Sequence, residues 1–215
     1  MTRLKANLAM SLDGYVAGPE QGPEDPLGKG GMDLHQWAFE LAAFRAEHEG
    51  EGGVVNASTT VIEEMQQNVG AVIMGRNMFG PIRGPWQDES WRGWWGEDPP
   101  YHVPVFVLTH HPRGPLEMQG GTTFHFVTDG IESAYEQAVA AAGGKDITLG
   151  GGASTVQQAI AAGLLDELQV NLVPILLGRG ERLLEGLGGA PVGFVPTRVL
   201  EAPGVTHLRY RVVKR

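Results

Sequence analysis

The sequence of 215 residues contains no cysteine. Disulfide bonds, thiolate zinc sites and cysteine nucleophiles are therefore excluded, and the composition fits a reducing compartment, which predicts the cytoplasm. The sequence also lacks an apolar run of membrane-spanning length, since the N-terminal run is interrupted by Asn7, Ser11 and Asp13. We therefore expect no signal peptide and no membrane partner.

Basic residues are scarce, because 16 Lys and Arg stand against 25 Asp and Glu and give a formal net charge of −9. This charge opposes binding to nucleic acid, whose phosphates need clustered cations. Hydrophobic residues make up 42% of the chain, which is enough for a folded core. We expect one α/β domain over residues 1–215 with a small molecule as its partner.

Short apolar runs alternate with helical periods along the chain. Strands are predicted at residues 4–10, 71–74, 105–109, 124–127, 147–149 and 168–177. Helices are predicted from Asp33, capped with Gln36, to about Gly50, from a capping box of Thr60 and Glu63, from Asp129 to Gly143, and from a capping box of Ser154 and Gln157 to Gly163. The runs 192–200 and 205–213 should form an antiparallel hairpin around Pro203 and Gly204. The order predicts an α/β sandwich, with a mainly parallel sheet, helices on both faces and the hairpin at one edge.

The sharpest local feature is a strand, three glycines and a helix start in immediate succession at residues 147–154. Gly150, Gly151 and Gly152 allow close approach to the backbone, and the first N–H groups of a helix attract an anion. The alternative is a tight turn without a ligand. The segment is not a Rossmann fingerprint, because Thr155 occupies the place of the last glycine, and it lacks the closing glycine of a nucleophile elbow.

Two further strands end in groups suited to phosphate. The strand at 72–74 runs into Gly75 and Arg76, whose guanidinium fits either a phosphate or a surface salt bridge. The C-terminal end of the next strand carries Thr109, His110, His111 and Arg113. Open α/β sheets bind ligands at that edge. A metal site is disfavoured, because no His-x-x-x-His pair and no nearby carboxylate pair accompanies the two imidazoles.

Three stretches then carry a family resemblance. They are residues 7–17 (Asn-Leu-Ala-Met-Ser-Leu-Asp-Gly-Tyr-Val-Ala), residues 74–79 (Met-Gly-Arg-Asn-Met-Phe), and residues 150–180, with Gly150-Gly151-Gly152, Leu164-Leu165-Asp166-Glu167-Leu168 and Pro174-Ile175-Leu176-Leu177-Gly178-Arg179-Gly180. In this order they resemble the reductase domain of the riboflavin deaminase-reductase family, within the dihydrofolate-reductase superfamily. The resemblance implies a dihydrofolate-reductase-like fold and an NADPH-dependent reductase. Such an enzyme transfers a hydride to a C=N or C=O carbon of a small, heterocyclic substrate.

The resemblance also implies which residues bind NADPH. They are Ala9, Ala17, Gly75, Arg76, Asn77, Met78, Thr109, His110, Arg113, Gly150, Gly151, Gly152, Ala153, Ser154 and Thr155. Arg76, Thr109 and Arg113 would lie near the adenosine 2′-phosphate, and the three glycines under the pyrophosphate. Ala9 and Ala17 would pass close to the nicotinamide. A cis peptide within the glycine run is consistent with the resemblance.

The substrate side of the site is less sharply indicated. Asp13 is the candidate catalytic residue for orienting substrate or supporting proton delivery, although an Asp-Gly pair is also an ordinary turn. Glu40 or Asp33 are the alternatives. Ser11 and Trp37 are candidates for binding substrate, although the apolar helix face that carries Trp37 favours a core position over a stacking platform.

Several alternatives stay open at this point. The Trp-rich segment 86–101 is either a lid over a planar substrate or a buried loop or dimer contact. The substrate is either the riboflavin intermediate or another small heterocycle or carbonyl compound. The same fold would also suit a deazaflavin-dependent reductase or a non-catalytic nucleotide-binding protein. A homodimer is expected through the terminal hairpin and residues 177–189.

Overall fold

The structure is a computed structural model that describes residues 2–47, 50–81, 83–87, 90–187 and 191–214. Its strands are β1 (Leu4–Ser11), β2 (Tyr15–Ala17), β3 (Val69–Gly75), β4 (Pro104–Leu108), β5 (Leu116–Glu117), β6 (Thr123–Val127), β7 (Asp146–Leu149), β8 (Glu167–Val173), β9 (Glu181–Arg182), β10 (Gly193–Ala202) and β11 (Val205–Val213). Its α-helices are α1 (Gln36–Phe39), α2 (Ala42–Glu47), α3 (Ala57–Gln66), α4 (Arg76–Phe79), α5 (Gly130–Ala141) and α6 (Ala153–Ala161). Short 3-10 turns lie at Gly31–His35 and Gln119–Gly121.

One large sheet holds nine of these strands in the order β10-β11-β8-β1-β7-β3-β4-β6-β5. The pairs from β8 to β6 are parallel, whereas β11 pairs antiparallel with both β8 and β10, and β5 pairs antiparallel with β6. The predicted mainly parallel sheet and the hairpin at its edge are therefore confirmed. The two remaining strands, β2 and β9, pair with each other.

Both faces of the sheet are covered. On one face, α5 and α6 pack small and branched side chains such as Ala134, Ala138 and Val156 against the apolar residues of β1, β3 and β7. The other face is covered by α3, by the short helices around Trp37 and by the Trp-rich segment. The pattern matches the alternation of the strands, whose successive side chains point to opposite faces. Within the described residues no helix is long and apolar enough to cross a bilayer.

The predicted first helix, from Asp33 to about Gly50, was wrong as a continuous element. A 3-10 turn, α1 and α2 stand in its place, and Asp33 lies inside the turn rather than capping it. The break has a local cause, because the backbone at residues 40–42 bonds to Val54 instead of continuing the helix. Residues 48 and 49 lie outside the described residues.

The second helix, α3, begins three residues earlier than predicted. Its cap is Asn56, whose side chain accepts from the Ser58 amide at 2.8 Å, while Thr59 accepts in return from the Asn56 amide at 3.1 Å. This reciprocal box replaces the predicted one of Thr60 and Glu63. An Asn at the N-cap and a Thr three positions later can form the same reciprocal hydrogen bonds as the predicted pair.

Two boundaries near the glycine turn also differ from prediction. The N-cap of α6 is Gly152 and no side chain caps it, since Ser154 accepts from Gln158 at 3.2 Å one turn later. Gln157 instead donates to the Arg182 carbonyl at 2.8 Å. Strand β8 ends at Val173 and not at residue 177, because Pro174 has no N–H group for the ladder.

Candidate functional site

A cavity of about 670 Å³ opens at the C-terminal edge of the parallel strands. Five strands contribute lining residues at or near their C-terminal ends. These residues are Ala9 on β1, Gly75 at the end of β3, and Thr109, Thr128 and Gly150 directly after β4, β6 and β7. Parallel strands share their carboxyl edge, so segments far apart in sequence meet at one mouth. The predicted convergence of three strand ends on one rim is therefore observed.

Most of the predicted site residues meet in this cavity. Its lining includes Ala9, Ala17, Trp37, Gly75, Arg76, Asn77, Met78, Thr109, His110, Gly150, Gly151, Gly152, Ala153, Ser154 and Thr155. Among the described residues, the lining does not include three predicted ones, namely Ser11, Asp13 and Arg113.

The turn between β7 and α6 presents bare backbone to the cavity. A Cβ atom built on Gly152 would meet no atom within 4 Å, and one on Gly151 only the Met78 sulfur at 3.8 Å. Gly151 also has φ +113, a conformation that favours glycine. The peptide between Gly151 and Gly152 is cis. The Thr155 amide donates to the Gly152 carbonyl at 3.2 Å, but no described side chain caps α6, so the Ala153 and Ser154 amides are available to an anion.

Gly75 holds β3 and α6 close together beside this turn. A Cβ atom on Gly75 would lie 2.7 Å from the Thr155 Oγ1 atom. The Gly75 amide donates to the Gly151 carbonyl at 2.8 Å, which ties the end of β3 to the glycine turn. Two of the three predicted phosphate-binding segments therefore form one continuous backbone surface.

Arg76 forms the cationic wall of the cavity. Its guanidinium lies 3.1 Å from the centre of a Trp86 ring and donates to Thr109 Oγ1 at 3.0 Å, while its buried Nε atom has no hydrogen-bond partner. Burial, then the charges of Arg113 and Arg83, lower the pKa of Arg76 to about 10. In the described part of the chain no carboxylate lies within 4.0 Å of Arg76 or Arg83. The site thus concentrates positive charge that a dianion would neutralise.

Arg113 stands behind this wall rather than in the cavity. Its guanidinium lies 4.8 Å from Trp86 and 5.1 Å from Phe126, so it packs on the aromatic cluster. The Trp-rich segment builds that cluster over Phe79 and Phe124. Trp94 and Trp95 also reach the cavity lining. The segment therefore packs over one face of the sheet and borders the site as well.

Asp13 and Ser11 hold the turn after β1. The carboxylate of Asp13 accepts from the Ser11 hydroxyl at 2.6 Å and from the amides of Gly178 and Leu177 at 2.7 and 3.1 Å. The bond from Ser11, and then those from the two amides, lower the pKa of Asp13 below its ordinary value. An ionised carboxylate placed outside the cavity lining suits an ordinary turn better than proton delivery. The alternatives Asp33 and Glu40 are exposed and also absent from the lining.

A polar group at the floor of the cavity escaped the sequence analysis. Asn7 and Asn171 both line the cavity, and behind them lies His207, which is 0% exposed. His207 bonds Asn171 at 2.7 Å and Ser58 at 2.8 Å, and its ring packs edge-on against Trp37 at 5.0 Å. Polar residues inside strands that are otherwise apolar were the sequence feature that could have indicated this group.

The site therefore combines a bare anion-binding turn, a cationic wall and a floor of neutral amides. Among the described residues, no group of three or more His, Asp or Glu side chains is placed to hold a metal ion. Fixed donors and neutral floor amides suit positioning of a bound ligand rather than attack by a protein nucleophile. The Ser154 hydroxyl accepts a hydrogen bond from Gln158, and among the described residues it has no imidazole partner that could activate it as a nucleophile.

Solved structures share this fold across nearly the whole chain. A protein of Shewanella sp. PV-4 provisionally assigned to riboflavin biosynthesis aligns with TM-score 0.64 and 21% identity over 99% of both chains. A pyrimidine reductase-like protein of Corynebacterium diphtheriae aligns with TM-score 0.57 and 13% identity, over 100% of this chain and 93% of its own. A Thermotoga maritima deaminase and 5-amino-6-(5-phosphoribosylamino)uracil reductase aligns with TM-score 0.56 and 12% identity, and this chain covers 57% of it.

These likenesses establish the dihydrofolate-reductase-like fold that the resemblance implied. No curated protein matches the sequence. The family model of the RibD C-terminal domain matches residues 3–201, which is most of the chain. The chain therefore belongs to the RibD C-terminal domain family.

Proposed function

We propose that the protein is an NADPH-dependent reductase that acts on a small heterocycle of the aminouracil type. The observation that carries the proposal is the meeting of two anion-binding features on one cavity. They are the uncapped start of α6 after the glycine turn, and the wall of Arg76 and Arg83, which has no carboxylate partner among the described residues. A dinucleotide with a further phosphate needs both.

The described residues fit such a cofactor. The first-turn amides of α6 and the bare Gly151–Gly152 backbone would hold the pyrophosphate, since a Cβ at Gly152 would fill open space that the phosphates can use. Arg76, fixed by Trp86, Thr109 and the Gly84 carbonyl, would hold the 2′-phosphate through the charge and the terminal N–H groups of its guanidinium. This assignment favours NADPH over NADH.

The opposite end of the cavity suits a planar ring. Ala9 and Ala17 present small side chains beside the aromatic Trp37, and Asn7 and Asn171 supply amide groups nearby. NADPH, when bound there, would supply the hydride. The protein would contribute orientation and exclusion of water, because the polar groups around the floor are neutral and their directions are fixed by hydrogen bonds.

Similar proteins support the proposed substrate class. A reductase of 5-amino-6-(5-phosphoribosylamino)uracil is part of the Thermotoga maritima protein that shares this fold. Saccharomyces riboflavin biosynthesis reductase shares it as well, with TM-score 0.54 over 99% of this chain. An aminouracil has a planar, uncharged ring with two carbonyl acceptors and several N–H donors, which suits a floor of neutral amides.

The test pairs binding with turnover. Thermal unfolding would be followed with NADPH, NADH or a deazaflavin, because a ligand that binds the folded state alone raises its apparent stability. Oxidation of NADPH would then be measured with 5-amino-6-(5-phosphoribosylamino)uracil. We expect stabilisation by NADPH well above that by NADH, and oxidation that depends on the uracil. A shift with the deazaflavin alone would contradict the cofactor, and NADPH binding without turnover would contradict the substrate.

A further inference from the structure

The polar residues behind the cavity floor form one connected chain across three strands. In the sheet register, Asn7 lies opposite Gln169, and Gln169 and Asn171 lie opposite Arg209 and His207. Arg209 donates from Nε to the Gln169 Oε1 atom at 3.0 Å, and Gln169 donates to Asn171 Oδ1 at 3.2 Å. Asn171 in turn donates to Asn7 Oδ1 at 2.6 Å. The links from Arg209 to Gln169 and from Asn171 to Asn7 join neighbouring strands, and the link from Gln169 to Asn171 joins two residues of β8.

Arg209 sets the direction of every link in this chain. A guanidinium has donors only, so Gln169 must present its oxygen to Arg209 and its nitrogen to Asn171. Asn171 must then present its oxygen to Gln169 and its nitrogen to Asn7. Arg209 is itself held by a charged hydrogen bond to Glu64, which keeps its Nε atom in place. The donor end of the chain is therefore fixed outside the cavity.

His207 bonds the same chain from the other side. Burial, then the charge of Arg198, lowers the pKa of His207 to about 4, so the ring is neutral near pH 7 and carries one N–H group. Because the Asn171 oxygen faces Nδ1, that nitrogen must carry the hydrogen, and Nε2 then accepts from the Ser58 hydroxyl. The tautomer of His207 therefore follows from the direction that Arg209 sets for Asn171.

The chain of donors ends on Asn7 with a hydrogen-bonding group left over. The Asn7 oxygen is taken by Asn171, and the Asn7 nitrogen is buried without any hydrogen-bond partner. A buried amide donor without a partner is costly, so a ligand that supplies an acceptor there is favoured. Asn7 also borders a smaller charged cleft, but Asp146 is already paired there with Arg3 and Lys5. Asn7 and its donor Asn171 both line the large cavity, and Asn171 does not line the smaller cleft.

We infer that Asn7 is a specificity-determining residue whose amide N–H group binds an acceptor of the substrate, such as a ring carbonyl oxygen. Gln169 and His207 are positioning residues, because they act on Asn7 through Asn171 and do not line the cavity themselves. The site selects rings that present an acceptor at this point and rejects rings that present an N–H group. The inference deepens the proposed function and rests on it.

Two substitutions that keep side-chain size test the direction of the chain. Asn7→Asp replaces the donor nitrogen of Asn7 by an oxygen, which would face the acceptor of the substrate. Gln169→Glu removes the donor to Asn171, so Asn171 should turn its nitrogen toward residue 169 and Asn7 should turn its oxygen toward the cavity. Gln137→Glu is the matched control, because Gln137 is exposed on α5 and lies outside the cavity lining.

Calorimetry would measure binding of 5-amino-6-(5-phosphoribosylamino)uracil in the presence of NADP⁺, which prevents turnover. We expect the dissociation constant of this probe to rise about tenfold or more in Asn7→Asp and in Gln169→Glu, because a lost hydrogen bond is joined by an unfavourable contact between acceptors. NADP⁺ affinity and the Gln137→Glu control should stay at the wild-type values. Unchanged probe binding in both floor variants, or wild-type protein that binds NADP⁺ but not the uracil, would overturn the inference.

A second measurement needs no ligand. Nitrogen chemical shifts of His207 report which ring nitrogen carries the hydrogen, and we expect Nδ1 in the wild type and Nε2 in Gln169→Glu. The same tautomer in both proteins would overturn the proposed direction. If the wild type does not bind NADP⁺, the cofactor part of the proposed function fails, and the inference about Asn7 is still decided by the uracil titration without cofactor and by the tautomer.

Discussion

Replacing Arg76 by alanine tests the NADPH assignment at one side chain. The guanidinium is held between Trp86 and Thr109, so its direction is set before a ligand arrives. A pKa of about 10 leaves it charged at neutral pH. A hydrogen bond to a charged group contributes about 1.5–3 kcal/mol, which corresponds to a loss of NADPH affinity of roughly 10- to 150-fold. NADH lacks the 2′-phosphate and should bind the variant and the wild type alike.

Dissociation constants for the two nucleotides, measured by fluorescence titration, would check the result. Arg211→Ala is the matched control, because Arg211 is exposed on β11 and lies outside the cavity lining. Arg76→Lys should recover only part of the NADPH affinity, since an ammonium group keeps the charge but lacks the planar fork and the stacking on Trp86. Equal losses of NADPH and NADH affinity in Arg76→Ala would refute the reasoning, because they would mean a general disturbance of the cavity.

Two further predictions concern the glycine turn and the buried imidazole. Gly75→Ala places a Cβ atom 2.7 Å from Thr155 Oγ1 and should weaken NADPH binding by displacing the start of α6. The double variant Gly75→Ala/Thr155→Ala should recover part of the affinity in the same titration. If it recovers none, the proposed clash is contradicted. The pKa of His207 is about 4 when folded and 6.5 when exposed, so the unfolded chain binds the extra proton as the pH falls. The free energy of unfolding should therefore decrease from pH 6.5 down to pH 4, by up to about 3 kcal/mol from this group. Urea unfolding across this range should show a smaller decrease in His207→Gln, and an identical pH dependence would contradict the assignment.

The order of strands and helices was predictable because their signals are local. Apolar runs such as residues 147–149 and the helical spacing from Ile131 to Ala142 depend on neighbouring residues alone. The prediction of the first helix was wrong because its backbone forms hydrogen bonds to Val54 instead of continuing the helix. Val54 lies outside the sequence window of that helix. The predicted caps of α3 and α6 were wrong because Ser, Thr and Asn side chains can cap a helix at several positions. Only the surrounding packing selects one of these positions.

The position of the glycine turn and of Arg76 at the cavity was predictable for a related reason. Glycines and an arginine that directly follow strands lie at the ligand-binding edge whatever the order of those strands. Arg113 shows where this reasoning stops, because it also follows a strand yet packs on Trp86 behind the cavity. Asp13 shows the same limit, because its partners at Leu177 and Gly178 come from a loop more than 160 residues away.

The substrate side depends on sheet register, which no local pattern reveals. Asn7 and Gln169 become partners only because β1 and β8 are adjacent and aligned residue for residue. A shift of one residue would turn these amides to the opposite face and into the apolar core around α6. The polar floor and the register therefore support each other, since burying unpaired amides in that core would be costly. Side-chain amides on the same face of adjacent central strands thus indicate both a binding site and the register of the strands. Here their hydrogen bonds connect Arg209, outside the cavity, to the amide of Asn7.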